Sequence, residues 1–218
     1  VKKSGPNAGL GIPYEPMLII QAQAQLLKDA DKLAASKPYR FDIVDVQRQM
    51  MTNLGQLVHK KAAEAFVAKD KAAFTLHSRR FLELLSDMDE LLYTRSEYSF
   101  DKWLTEARSW GETKEEKDLM ERDATSLVTI WGADGDPRIF DYSWREWAGL
   151  INGYYLPRWQ KFYTMLQGHL DAGTDYQEEG LPLAYGREDF RANDFYNQLA
   201  DWELAYVVQT DKARIPVT

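Results

Sequence analysis

Apolar positions recur along this chain at three- and four-residue intervals, the spacing of helices that turn one face to a core. From Tyr14 to about Leu33, Pro16 suits a first helical turn, and Met17, Ile20, Ala24, Leu27 and Ala30 form the apolar stripe. Lys37-Pro38 should end that helix. A longer one follows from Tyr39 to Val67 on Phe41, Val44, Met51, Leu54, Val58, Ala62 and Ala65, with Gly55 as its weak point. The next runs from about Lys71 to Tyr93 on Phe74, Phe81, Leu84, Leu85, Met88 and Leu92, nearly continuous with its predecessor. SFDKWLTEARSWG predicts a short helix with Trp103, Ala107 and Trp110 inward and Gly111 as its stop.

Thr113 and Glu116 have the spacing of a capping box, opening a helix through Leu119, Met120, Leu127 and Ile130 that ends at Trp131-Gly132. After a short loop, Ser143 and Glu146 repeat that spacing, with Tyr142 before the cap, Trp147 as the staple and Asp141 as a competing cap. That helix carries Leu150, Ile151, Tyr154 and Tyr155 to Pro157, which should kink or restart it, and RWQKFYTMLQGHL continues the pattern to about Leu170. A polar connection, DAGTDYQEEGLPLAYG, precedes a last helix from about Arg187 to Val208 with Phe190, Phe195, Leu199, Trp202 and Tyr206 inward. No strand pattern, fixed-period repeat or low-complexity segment interrupts this series. The expected fold is all-α, a bundle of six or seven helices with one helix kinked near Pro157.

The chain has 218 residues and no Pro/Ser/Gly-rich linker at its middle, which predicts one domain. Its opening, VKKSGPNAGLGIPYEP, does not look like a natural protein start. Residues 1–13 are expected to be a boundary segment from a preceding domain, with 14–218 the helical domain of a longer protein. A net charge of −7, with no Lys/Arg stripe above the acidic background, disfavours nucleic acid as a partner. No apolar run is long enough for a membrane span. The absence of cysteine excludes disulfides, thiolate catalysis and cysteine-ligated metals, and leaves the redox compartment open.

Catalytic chemistry is hard to find. His59, His77 and His169 have no Glu three residues before them, so a di-metal carboxylate bundle site is not expected, and surface or capping roles are. HExxH, the P-loop pattern and GxGxxG are absent. The acids of WGADGDPRIFD do not fit the twelve-residue calcium loop. Asp134, Asp136, Asp141, Glu178 and Glu179 lie near aromatics, but sequence spacing does not establish the carboxylate separation that glycoside hydrolysis needs. No catalytic residue, metal ligand or cofactor is expected in this chain.

The most informative stretch is the loop between Ile130 and Tyr163, bordered by Trp131, Tyr142, Trp144, Trp147, Tyr154, Tyr155, Trp159 and Tyr163. Helical spacing explains Trp147, Leu150, Ile151 and Tyr154 as core. Trp131 and Tyr142 flank the loop itself, where side chains project beyond a bundle. Core packing is one reading of that pair; stacking on the C–H face of a sugar is the other.

LTEARSWGETKEEKDLMERDATSLVTIWG followed by IFDYSWREWAGLINGYYLPRWQKFY resembles the C-terminal helical domain of the α-N-acetylglucosaminidases, a glycoside hydrolase family that includes the lysosomal enzyme of heparan sulfate breakdown. The shared motifs are the T-I-W-G that ends one helix, the D-Y before the next, W-A-G-L and Y-Y-L-P-R-W, strongest from about Phe81 to Phe162. The resemblance implies a division of labour. A (β/α)8 barrel, absent from this chain, carries both catalytic glutamates of a retaining mechanism, and the helical domain packs on it as one wall of the pocket for terminal α-linked N-acetylglucosamine. Trp131, Ile139 and Tyr142 match the family's substrate-binding positions. The GADGDPR loop is longer here than in the lysosomal pattern. An extracytoplasmic location, whether periplasmic, secreted or lysosomal, follows from the family alone. The competing reading is a stand-alone helical carbohydrate-binding or protein-interaction module.

Overall fold

The structure, a computed structural model, describes residue 12 and residues 14–131, 143–176 and 194–212. Among these the fold is all-α, and the backbone pairing outside helices that resembles a sheet is one isolated parallel bridge between Ser99 and Ala148. The helices are α1 (Pro16–Lys28), the single turn α2 (Ala30–Leu33), α3 (Lys37–Val67), α4 (Lys71–Tyr93), α5 (Phe100–Arg108), α6 (Lys114–Val128), α7 (Leu156–Ala172) and α8 (Asp194–Val208). A 3₁₀ turn at Ser96–Tyr98 precedes α5, and a π turn at Ile151–Tyr155 leads directly into α7.

Helices α3 and α4 are not continuous. Lys69 takes a left-handed conformation, φ 57°, and the chain reverses there. Asp70 then caps α4 by accepting the amide of Ala73. The two helices run antiparallel along their whole length, with Ala62 and Ala65 against Phe74 and Phe81 at one end, and Val44 and Met51 with Met88 and Leu92 at the other. Gly55, the expected weak point, lies at this contact. A Cβ there would meet Leu84 and Phe81 at 3.5 and 3.6 Å, so the small residue lets the helices approach closely. α7 packs on α4, α5 and α6 form a second pair, and α8 lies against α6 and α7.

Several stripes differ in phase from their expected positions. In α1 the face toward α3 is Pro16, Ile19, Gln23 and Leu26, whereas Met17, Ile20 and Leu27 are exposed. In α8 the buried row is Tyr196, Leu199, Glu203 and Val207, with Trp202 and Tyr206 flanking it against Tyr154. Leu54, Leu119 and Leu127 are exposed, and Trp110 is 83% exposed rather than inward. Phe190 lies outside the described residues.

His59 is buried, contrary to the surface or capping role expected of it. Phe81, Trp159 and Tyr163 surround its ring, and Nδ1 lies 2.7 Å from the Tyr163 hydroxyl. Burial pushes its pKa down to about 4. An unfolded histidine takes a proton near pH 6.5, so stability is lost as pH falls from that value toward 4, by up to about 3 kcal/mol. Melting between pH 7 and pH 4 should therefore decline less steeply in His59→Phe than in the unaltered protein. Parallel pH profiles would contradict this.

Candidate functional site

The candidate site is formed by the two segments that flank residues 132–142. On the incoming side, α6 begins with the expected capping box. Thr113 accepts the Glu116 amide at 3.2 Å, and the Glu116 carboxylate accepts the amides of Glu112 and Thr113 at 2.8 and 3.1 Å. Gly111 is required by a close approach, since a Cβ there would sit 2.6 Å from the Lys117 nitrogen. Buried Ala124, Val128 and Ile130 fix the helix against α5, where the Trp103 indole donates to the Ala124 carbonyl at 3.0 Å.

α6 ends at Val128, and the Trp131 amide reaches back to the Ser126 carbonyl at 2.8 Å in a six-residue closure. Trp131 holds φ at 47°, in the left-handed region, and is half-buried. Glycine occupies such positions at no steric cost, whereas a bulky side chain is disfavoured there by about 1 kcal/mol or more. Ile139 and Tyr142, the other two expected substrate-binding residues, lie outside the described residues, as do Asp134, Asp136, Asp141, Glu178 and Glu179.

On the outgoing side the expected second capping box does not form, and residues 143–147 carry no helix. Glu146 is drawn to α3, where it accepts from Thr52 Oγ1 at 2.7 Å and from Arg48, which also holds Asp45 at 2.9 Å. Tertiary hydrogen bonds outweigh the local cap here. Ala148 then bridges the start of α5, donating to the Tyr98 carbonyl at 2.8 Å and accepting from the Phe100 amide at 3.1 Å.

The cap comes instead from across the bundle. Asp89 of α4, buried, accepts the Gly149 amide at 2.8 Å, the Asn152 amide at 3.1 Å and the Asn152 side-chain amide at 3.0 Å. These are the donors that the first turn of a helix leaves open. Burial raises the Asp89 pKa above the ordinary carboxylate value, against the opposing pull of those donors. Gly149, at φ 85°, makes the turn. The π turn that follows closes through the Leu156 amide to the Ile151 carbonyl, a five-residue step. The wider turn takes up the chain just before Pro157, which lacks an amide hydrogen to continue the four-residue ladder.

The buried carboxylates Asp89, Glu121 and Glu203 are each engaged by structural partners. Asp118, Glu121 and Asp211 bring carboxylate oxygens within 4.8 Å of one another, which is the spacing of a cation site. That group already contains two protein cations. Arg108 donates to Asp118 at 2.7 Å and to Glu121 at 2.6 Å, and the Lys212 ammonium lies 3.8 Å from Glu121. Glu203 is paired with Arg158 at 2.8 Å. An open groove of about 520 Å³ lies between α1 and α3, lined by Ala22, Leu33, Tyr39, Asp42 and Val46, and involves none of the loop-flanking residues. No described helix is long and apolar enough to cross a membrane.

Residues 2–216 match the family of the C-terminal domain of α-N-acetylglucosaminidase. The chain is 30% identical to human α-N-acetylglucosaminidase over 218 residues, covering 99% of this chain and 27% of the human protein. A family 89 glycoside hydrolase from Clostridium perfringens, solved with PUGNAc, superposes with a TM-score of 0.74 at 28% identity, over 89% of this chain and 21% of that one. The same hydrolase solved with its substrate, GlcNAc-α-1,4-galactose, superposes with a TM-score of 0.75 at 28% identity, over the same shares. This chain thus spans about a quarter of the human relative and about a fifth of the bacterial one.

Proposed function

The chain belongs to the α-N-acetylglucosaminidase C-terminal domain family, and on that premise we propose that it is the helical domain of a retaining glycoside hydrolase that removes terminal α-linked N-acetylglucosamine from a glycan. Residues 1–13 join it to the rest of the polypeptide, and residues 14–218 pack on a (β/α)8 catalytic barrel. The wall it gives to the sugar pocket consists of Trp131, Ile139 and Tyr142. The enzyme acts in an extracytoplasmic compartment, where glycans are exposed.

The observation that carries this reading is Trp131 itself: a tryptophan in a left-handed conformation just beyond a helix end, at the position that the resemblance matches to the family's pocket. Its indole can stack on the apolar face of the pyranose while its N–H meets a hydroxyl. The chain's own buried carboxylates support the division of labour, since Asp89 caps a helix and Glu121 and Glu203 are ion-paired. In this reading the reacting carboxylates belong to the barrel. There one glutamate attacks the anomeric carbon while the other protonates the departing oxygen, and water then hydrolyses the glycosyl-enzyme. The helical domain binds and orients the sugar and needs no cofactor.

The full-length polypeptide is expected to hydrolyse an aryl α-N-acetylglucosaminide, to release the α-anomer first, and to leave the β-linked aryl glycoside intact. Release of the β-anomer, or turnover of the β-linked substrate alone, would contradict the reading.

A further inference from the structure

Helix α1 packs chiefly on α3 among the described residues, and one of its apolar rows is left exposed. Its sequence, PMLIIQAQAQLLK, contains no charged residue before the final Lys28, in a chain where 28% of residues are charged. One face packs on α3 through Pro16, Ile19, Gln23 and Leu26, and it is fixed there by Gln23 donating to Gln47 and by the Tyr39 hydroxyl donating to the Leu26 carbonyl. A second row, Met17, Ile20, Ala24 and Leu27, has the same helical spacing but lies on the flank and is exposed: Ile20 by 43% and Leu27 by 55%.

The surface does not stop at α1. The Tyr14 hydroxyl donates to Asn53 at 2.8 Å, marking where the helix begins alongside α3. Beyond that point the same face of α3 continues with Leu54 and Leu57, each 49% exposed. A solvated helix normally places Lys, Glu or Arg on its outer face. An uncharged flank together with two more exposed leucines on the helix beside it is apolar surface of the kind that marks an interface.

We propose that this surface, Met17, Ile20, Ala24 and Leu27 of α1 with Leu54 and Leu57 of α3, is where the domain docks on the polypeptide that leads into it. The proposal rests on the reading of the chain as the C-terminal domain of a longer hydrolase. It commits to the same polypeptide rather than to a second copy on two grounds. The matched family is a C-terminal domain and fills only 27% of the human relative, so in that relative most of the chain lies ahead of the matched region. α1 is also the first helix of the domain, so whatever is joined to it is held at high effective concentration by the connection itself.

The chain has no cysteine, so thiol labelling reports cleanly on single positions. In the full-length polypeptide, Ile20→Cys, Ala24→Cys and Leu27→Cys are each treated with a maleimide, and modification of the α1 peptide is followed by mass. Labelling at all three should be more than about tenfold slower in the native protein than in denaturant, and independent of protein concentration. Ala24→Cys changes little volume, so its result stands even where the larger substitutions perturb folding. Native labelling within tenfold of the denatured rate would overturn the proposal. Protection lost on dilution would also overturn it, in favour of a second copy. The readout needs no glycosidase activity, so a polypeptide that hydrolyses nothing still answers the docking question.

Discussion

Glu121→Ala should lower stability by about 3–5 kcal/mol, the largest effect of any single substitution considered. Glu121 is fully buried in α6, and its carboxylate gathers groups from two places, α5 and the segment after α8. Arg108 of α5 donates to it at 2.6 Å, and the backbone amides of Asp211 and Lys212 at 3.3 and 3.4 Å. The Lys212 ammonium, itself only 9% exposed, lies 3.8 Å away and also donates to Thr125 at 3.3 Å. Removing the acid leaves Arg108 and Lys212 with part of their counter-charge gone, and two amides without an acceptor. Asp118 stays beside Arg108 at 2.7 Å, and Lys114 together with Arg108 holds its pKa below the ordinary value, which limits the loss to the lower half of the range. For a chain of this length the melting temperature should fall by about 6–16 °C. Glu121→Gln, which keeps the shape and one acceptor, should fall by less. A shift under about 2 °C for the alanine variant would show that the cluster contributes nothing net, as buried ion pairs sometimes do not.

The helices themselves were legible in the sequence because their ends carry local signals. The Thr113–Glu116 box and the run from Lys71 to Tyr93 depend on neighbours within a few residues. What the pattern could not fix was phase. Where apolar residues stand side by side, as in Leu18-Ile19-Ile20 or Phe195-Tyr196, two adjacent stripes fit equally well. The choice then falls to polar residues whose partners are distant in sequence. Gln23 turns inward to meet Gln47, and Glu203 turns inward to meet Arg158.

The second capping box failed for a related reason. Ser143 and Glu146 have the right spacing, but Arg48 and Thr52, nearly a hundred residues earlier, offer Glu146 two donors, and Asp89 supplies the cap from α4. Nothing within the local window reveals that competition. Trp110 was expected inward on helical spacing alone, but α5 ends at Arg108, two residues before it. At the candidate site, the position of Trp131 at a helix end was readable from the sequence, whereas its left-handed backbone was not. That conformation depends on the closure from the Trp131 amide to Ser126, which sequence spacing does not specify.

The central claim is that this domain touches the sugar, and Trp131→Ala in the full-length polypeptide tests it most directly. Alanine keeps a side chain at the left-handed position, so the substitution removes the ring without relieving the backbone. Loss of one stacked and hydrogen-bonded sugar contact should cost about 1–3 kcal/mol, or roughly a 5- to 150-fold fall in kcat/KM on an aryl α-N-acetylglucosaminide. The account predicts a fall of that size with the melting temperature held within about 3 °C of the unaltered protein. Unchanged kinetics with a lowered melt would contradict it, returning Trp131 to the packing of the helix end and leaving the domain as scaffold.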